Sequence, residues 1–169
     1  MLATLTPTAK ASMSAAVLAR MDALNEADFT RVMRGAVRKM QMVGMPLRLE
    51  DSEAELALKQ FYALSVANPD AKTFAVSSVV DEYWHAHILD TAAYRRFCEK
   101  IYGGFMDHVP LDKDKTADVL DVKALYVTTH AELTRLFGDG LVVKAFPPEP
   151  TEEVIVCVCQ NNCCNQSAC

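Results

Sequence analysis

Two histidines near the middle of the chain are the first residues whose types and spacing could do chemistry. They stand two apart in the stretch DEYWHAHILD, residues 81–90, which also holds the only Trp of the chain. Imidazoles bind zinc and act as general bases. On a helix, two residues subtend about 200°, so His85 and His87 would leave the helix on nearly opposite sides. We therefore expect them to share one metal ion only if the helix is broken between them.

Each histidine then needs partners of its own. Asp81 stands one helical turn before His85, which makes either a carboxylate–imidazole pair that orients the ring or a surface ion pair. His87 falls on the apolar stripe of the segment. There it is either a buried histidine with one hydrogen bond or a ligand in a pocket. His108 follows a Gly-Gly break and could fold back toward this helix. A site with three ligands from His87, His108, His130, Asp81 or Asp107 would suit zinc, although nothing in their spacing requires one.

Five of the six cysteines form a second group, in the stretch CVCQNNCCNQSAC at residues 157–169. Cys-x-Cys in an extended segment points both sulfurs to one side, and the two Asn residues favour a turn after it. Thiolates are soft ligands that bind both Zn²⁺ and Cu(I). The sequence therefore predicts a copper or zinc site made by Cys157, Cys159, Cys163, Cys164 and Cys169. Idle reduced thiols and a dithiol–disulfide pair are alternatives.

Composition excludes several other function classes. The formal net charge is −5, whereas nucleic-acid binding needs clustered Lys and Arg, so we expect no nucleic-acid partner. No apolar run reaches the length of a membrane span, and residues 1–25 lack a secretory signal pattern. We therefore expect no membrane partner and a cytoplasmic protein, in a compartment that keeps thiols reduced.

The elements that must position these residues are predicted to be helices. Apolar residues recur at helical spacing in five segments, and no stretch before residue 140 alternates with period two. The sequence predicts helices over 8–25, 29–44, 51–68, 78–102 and 116–137. The fold class is therefore predicted to be all-α, with about five helices in one compact domain.

The character of the sequence changes after residue 138. Residues 139–156 hold three prolines and a short β-branched run, which predicts a stiff, extended linker. We therefore predict a helical domain at 1–138, a Pro-rich linker at 139–156 and a Cys-rich tail at 157–169.

Residues 79–110 resemble the glycine-rich-domain-containing protein family and its bacterial relatives. The family pattern of Asp, Trp-His-x-His, Leu, Tyr, Cys and then Gly followed by His is matched by nine residues, which are Asp81, Trp84, His85, His87, Leu89, Tyr94, Cys98, Gly103 or Gly104, and His108. The resemblance implies a small helical domain followed by a low-complexity tail. It also implies one shared site for Asp81, His85, His87 and His108, against the geometric argument. Here a Cys-rich tail stands where the family has its glycine-rich region.

Three functions follow from these observations. The first is a non-catalytic helical domain that presents a tail binding Cu(I) or Zn, with a metal-transfer partner. The second is a precursor protein whose Cys-rich segment is modified by a partner enzyme. The third is a small metalloenzyme centred on the Trp-His-x-His helix. The sequence contains no supported Ser-His-Asp arrangement and favours a protein that is not an enzyme.

Overall fold

The computed structural model describes residues 3–71, 73–111, 116–149, 151 and 154–162. These residues form eight helices and three strands. In chain order they are α1 Pro7–Ala11, α2 Ala15–Asn25, α3 Thr30–Met42, α4 Asp51–Ala67, β1 Thr73–Ser77, α5 Ser78–Leu89, α6 Thr91–Tyr102, β2 Phe105–Pro110, α7 Thr116–Phe137, α8 Gly140–Ala145 and β3 Ile155–Asn162.

The prediction of an all-α fold with five helices is wrong. The three strands form an antiparallel sheet in the order β1-β3-β2, so the protein is a mixed α/β structure. The central strand, β3, comes from residues that were assigned to the linker and the tail. It runs across the predicted boundary between residues 156 and 157, and α8 lies within the predicted linker. The predicted domain boundaries themselves stay a prediction.

Two of the predicted helices are each divided in two. The segment from Ser78 to Tyr102 breaks at Asp90, which ends α5 and begins α6. The backbone N–H of Asp90 donates to the carbonyl of His87, and its own carbonyl accepts from Tyr94. The segment at 8–25 divides at residues 12–14 because the Ser14 hydroxyl caps α2, accepting from the Val17 N–H.

Helix α4 lies at the centre of the fold. Its residues from Ala57 to Val66 are all buried, and a helix that is buried on every side belongs to the core. Its first turn is fixed by a capping box between Glu50 and Glu53. Helices α2, α3, α5 and α7 pack around it.

The sheet and α5 are joined without a loop. Ser77 is the last residue of β1, and its hydroxyl accepts from the Val80 N–H at 3.3 Å and so caps α5. At the other end of the helical pair, α6 ends at Gly103, whose φ of +70° lies in the left-handed region. The chain then turns into β2, which returns alongside α5. The β1–α5 junction and the α6–β2 turn thus bring β1, β2 and α5 close to one another.

None of the helices in the part of the chain that the structure describes is long and apolar enough to cross a membrane.

Candidate metal centre

Asp81 is the centre of a cluster of potential metal ligands. It lies in the first turn of α5, and only 5% of the residue is exposed. Its Oδ2 is 3.2 Å from His85 Nδ1, and its Oδ1 is 3.1 Å from His108 Nε2. One ligand atom from each of these three residues lies within 4.8 Å of the others. The two imidazole rings are tilted by 40° to each other, with their centroids 4.4 Å apart.

Helical spacing brings the first two of these residues together. Asp81 and His85 are four residues apart on α5, so they lie one turn apart on the same side. The ion-pair contact between the carboxylate and the imidazole orients the ring. About a third of the His85 side chain is exposed, whereas only 15% of the His108 side chain is. The site is therefore open to solvent mainly on its His85 side.

A buried hydrogen-bond chain holds β2, and with it His108, against α5. Trp84 is fully buried, and its Nε1–H donates to the Tyr94 hydroxyl at 3.1 Å. The Tyr94 hydroxyl in turn donates to the Met106 carbonyl at 2.7 Å. Met106 stands two residues before His108, and the Trp84 and His108 ring centroids are 4.9 Å apart. The only Trp of the chain thus helps to position His108, the third potential ligand.

A fourth side chain reaches the carboxylate from β3. The Cys157 thiol donates to Asp81 Oδ1, with a sulfur–oxygen distance of 3.0 Å. Residues opposite each other on paired strands share a face, so Cys157, Cys159 and His108 all project from the sheet face that meets α5. The sulfur of Cys157 is not among the ligand atoms that lie within 4.8 Å of one another.

The surroundings of Asp81 keep its carboxyl group charged. Burial alone raises the pKa of this group, but hydrogen bonds from His108 and Cys157 and attraction by His85 outweigh it, so the pKa lies below its ordinary value. Burial and the neighbouring carboxylate together raise the pKa of the Cys157 thiol, which favours the protonated S–H form. The cluster therefore offers one anionic oxygen ligand and two imidazoles.

His87 lies on the other side of α5, as the helical spacing predicts. Its Nδ1 is 2.7 Å from the Tyr62 hydroxyl, in a buried aromatic cluster with Phe29 and Phe97. Burial lowers the pKa of His87 to about 4, so the ring is neutral at physiological pH. His130 is also apart from the site, and its Nδ1 donates to the Phe146 carbonyl. The structure thus brings together three of the four predicted ligands on and after α5.

The five cysteines of the predicted tail site are divided. Cys157 and Cys159 are buried in β3, and both are free thiols. Cys163, Cys164 and Cys169 lie outside the described residues. The tail site as a whole stays a prediction.

Sequence reasoning missed how Cys157, Trp84 and Tyr94 contribute to this site. The sequence did contain one usable signal, because Cys-x-Cys on a strand places both sulfurs on the face that also carries His108. The contact between Cys157 and Asp81 joins residues 76 positions apart, and it depends on a strand that was not predicted.

Comparisons with known proteins identify a family without naming an activity. The model of the UCP032817-like family matches residues 19–123, which include Asp81, His85 and His108 and end before β3. No curated protein and no solved structure matches the chain. The resemblance to the glycine-rich-domain family stays a prediction. Since the matched segment spans more than half of the 169 residues, the chain belongs to the UCP032817-like family.

Proposed function

We propose that the protein binds a divalent transition-metal ion, zinc in the first instance, through Asp81, His85 and His108. The observation that carries this proposal is the convergence of one carboxylate and two imidazole ligand atoms within 4.8 Å of one another. In a tetrahedral zinc site, ligand atoms lie about 3.3 Å apart, given zinc–nitrogen and zinc–oxygen distances of about 2.0–2.1 Å. The separation of 3.2 Å between Asp81 Oδ2 and His85 Nδ1 is close to that value, and His108 Nε2 lies 3.1 Å from the other carboxylate oxygen, Oδ1.

The ligand types also narrow the choice of ion. Imidazole with carboxylate suits zinc and iron(II), whereas magnesium and calcium prefer all-oxygen sets. Three protein ligands leave a zinc ion one open position, which would be available for water or for a small ligand. This arrangement supports metal binding as the function. The open position is also compatible with the small metalloenzyme, the third hypothesis from the sequence.

The test is a zinc titration of the full chain after removal of metal by a chelator. We expect His85→Gln to weaken binding by more than about a hundredfold, because even changes outside the ligand set reduce metal affinity 10–100-fold. His87→Gln is the matched control, since it changes the other histidine of the same helix, and it should leave the affinity unchanged. Equal zinc affinity in wild-type protein and His85→Gln would exclude this site.

The same zinc titration distinguishes the Asp81 site from the predicted tail site. A variant with Cys163, Cys164 and Cys169 all changed to Ser should keep one zinc site per chain if the ion binds at Asp81. Loss of all zinc binding in that variant, with retention in His85→Gln, would instead support the tail hypothesis.

The precursor hypothesis predicts covalent changes in the intact mass of protein from its own host. Cytoplasmic location remains part of the proposal, because none of the three cysteines among the described residues forms a disulfide bond.

A further inference from the structure

Cys157 reaches the proposed metal site from β3, which is distant in the sequence from α5 and β2, the elements that carry the proposed ligands. It lies on the central strand β3, opposite Val76 of β1 and Pro110 of β2. Only 1% of the residue is exposed, and its Sγ is 3.0 Å from Asp81 Oδ1. The strand therefore delivers a buried hydrogen-bond donor to the carboxylate.

Metal binding changes which donors Asp81 can use. In the structure, its carboxylate accepts hydrogen bonds from His108 and Cys157 and lies in ion-pair contact with His85. When the two histidine nitrogens point their lone pairs at a metal ion, they can no longer donate to the carboxylate. A carboxylate that binds the ion through one oxygen leaves its second oxygen in a buried position. That oxygen needs a donor, because an unsatisfied buried charge is strongly unfavourable.

Among the described residues, the thiol of Cys157 is the donor to Asp81 that remains. Its sulfur lies outside the set of mutually close ligand atoms, on the carboxylate rather than between the histidines. We propose that Cys157 is a positioning residue of the metal site, whose S–H holds the non-ligating oxygen of Asp81. This inference rests on the proposed function.

The proposal makes the metal affinity depend on β3. Carboxylate ligands are commonly held by hydrogen bonds from outside the ligand set, and the loss of such a partner reduces metal affinity about 10–100-fold. Here the partner comes from a strand that lies beyond the family-matched residues 19–123. Cys159 offers an internal comparison. It is fully buried on the same face of the same strand, and no hydrogen bond joins its side chain to Asp81 in the described residues.

Cobalt(II) titrations test the proposal, because Co²⁺ occupies zinc sites and its absorption spectrum reports its ligands. Every protein is the full chain with Cys163, Cys164 and Cys169 changed to Ser, so that these thiols do not contribute. The variants are Cys157→Ala, Cys157→Ser and the control Cys159→Ala, with circular dichroism to check the fold. We expect Cys157→Ala to lose about 10–100-fold in Co²⁺ affinity. Cys157→Ser keeps a donor and should restore most of the loss, and Cys159→Ala should bind as the parent does.

The spectrum separates the possible failures. A thiolate-to-cobalt charge-transfer band that disappears in Cys157→Ser would make Cys157 a ligand and overturn its positioning role. Equal affinity losses in Cys157→Ala and Cys159→Ala would assign the effect to packing and overturn it as well. If the parent binds no Co²⁺ and no Zn²⁺, the proposed function itself fails.

A second measurement covers the case in which Cys157→Ala does not fold. The infrared S–H stretch of Cys157, identified by its absence in Cys157→Ser, should persist in the Co²⁺-loaded parent with the shift of a hydrogen-bonded thiol. Loss of this band when Co²⁺ binds would show that the thiol has lost its proton to solvent, and would overturn the proposal.

Discussion

Asp81 is a buried residue whose carboxylate contacts side chains from three different elements of the fold. His85 belongs to its own helix, His108 comes from β2 and Cys157 comes from β3. The hydrogen bonds and the attraction of His85 outweigh burial and keep the carboxyl pKa low, so the group is anionic over the physiological range. The same convergence that satisfies this charge also arranges ligand atoms for a cation.

The two histidines of the His-Ala-His motif have separate roles. His85 faces the carboxylate at a partly exposed position, whereas His87 is 3% exposed among aromatic rings. The hydroxyl of Tyr62 supplies the hydrogen bond that a buried imidazole needs. A motif that looks like a chelate in the sequence is thus one candidate ligand and one core residue.

Tyr62→Phe tests the structural role of His87. The change removes the partner of a buried ring nitrogen, so we expect the free energy of unfolding to fall by about 1–3 kcal/mol, with zinc affinity unchanged. Urea denaturation with and without zinc measures both quantities. Tyr126→Phe is the matched control. Its hydroxyl donates to the Pro147 carbonyl in a partly buried bond, and we expect a smaller loss there. A large loss of zinc affinity in Tyr62→Phe would instead join His87 to the metal site.

The turn between α6 and β2 determines where His108 lies. Gly103 ends α6 in the left-handed conformation, and a Cβ built there would meet no atom within 4 Å. A substitution at this position is therefore penalised by backbone conformation alone. The conformational penalty for a side chain in this region is about 1–2 kcal/mol.

Gly103→Ala is accordingly expected to lower the free energy of unfolding by about 1–2 kcal/mol. Gly35→Ala is the paired control, because Gly35 lies inside α3 with equally open space and no positive φ. There the same substitution should raise stability by about 0.5–1 kcal/mol. Opposite signs in thermal or urea unfolding would support this account, and two changes of equal sign would contradict it.

Helix positions were largely predictable because their signals are local. Gly103 ends α6, Asn68-Pro69 follows α4, and apolar spacing marks the buried faces. The break at Asp90 was not visible, because helical periodicity continues from α5 into α6 without a proline or glycine. Its bonds to His87 and Tyr94 become evident only in the structure.

The strands were missed for physical reasons that differ from strand to strand. In β1, the residues from Phe74 to Ser77 are all buried, so no alternation marks the strand, and α5 begins at the next residue. In β3, Ile155, Cys157 and Cys159 are buried at every second position. These cysteines were read as reactive thiols, although buried cysteine behaves as a small apolar residue. Asp81, His85 and His108 were named from the sequence, but the contact of Cys157 with Asp81 was not, because it depends on sheet pairing.

A chain that stops after Val154 lacks β3, and the outer strands β1 and β2 then have no partner between them. We expect amides in both strands to exchange rapidly with solvent, and zinc affinity to fall, while most helical circular dichroism remains. Hydrogen exchange with mass spectrometry measures the first effect. A chain that stops after Asn162 keeps β3 and is the matched control. If both truncated chains protect β1 and β2 equally, β3 is not needed to hold the sheet.

The proposed site links metal binding to the stability of the entire fold. Its ligands come from α5 and β2, which are separated by α6 in the sequence, so the unfolded chain does not hold them together. A ligand that binds only the folded state stabilises it by about 2.7 kcal/mol at a free concentration of 100 times its Kd.

Zinc at that concentration should therefore raise the free energy of unfolding of the wild-type protein by about 2.7 kcal/mol. A chelator should reverse the gain. Parallel urea titrations of His85→Gln should show no increase, while His87→Gln should show the same increase as wild type. Stabilisation that persists in His85→Gln would locate the ion elsewhere in the molecule.

The central position of β3 also has a consequence for the newly made chain. During synthesis β1 and β2 leave the ribosome first, and some 45 residues separate the end of β2 from the start of β3. Until β3 follows, both outer strands carry open edges toward the gap that it will fill, and open edges invite pairing with other chains. At typical translation rates of about 5–20 residues per second, that exposure lasts for seconds. A cell that makes this protein quickly would thus have reason to shield the nascent sheet, for example with a chaperone, until residue 162 has emerged.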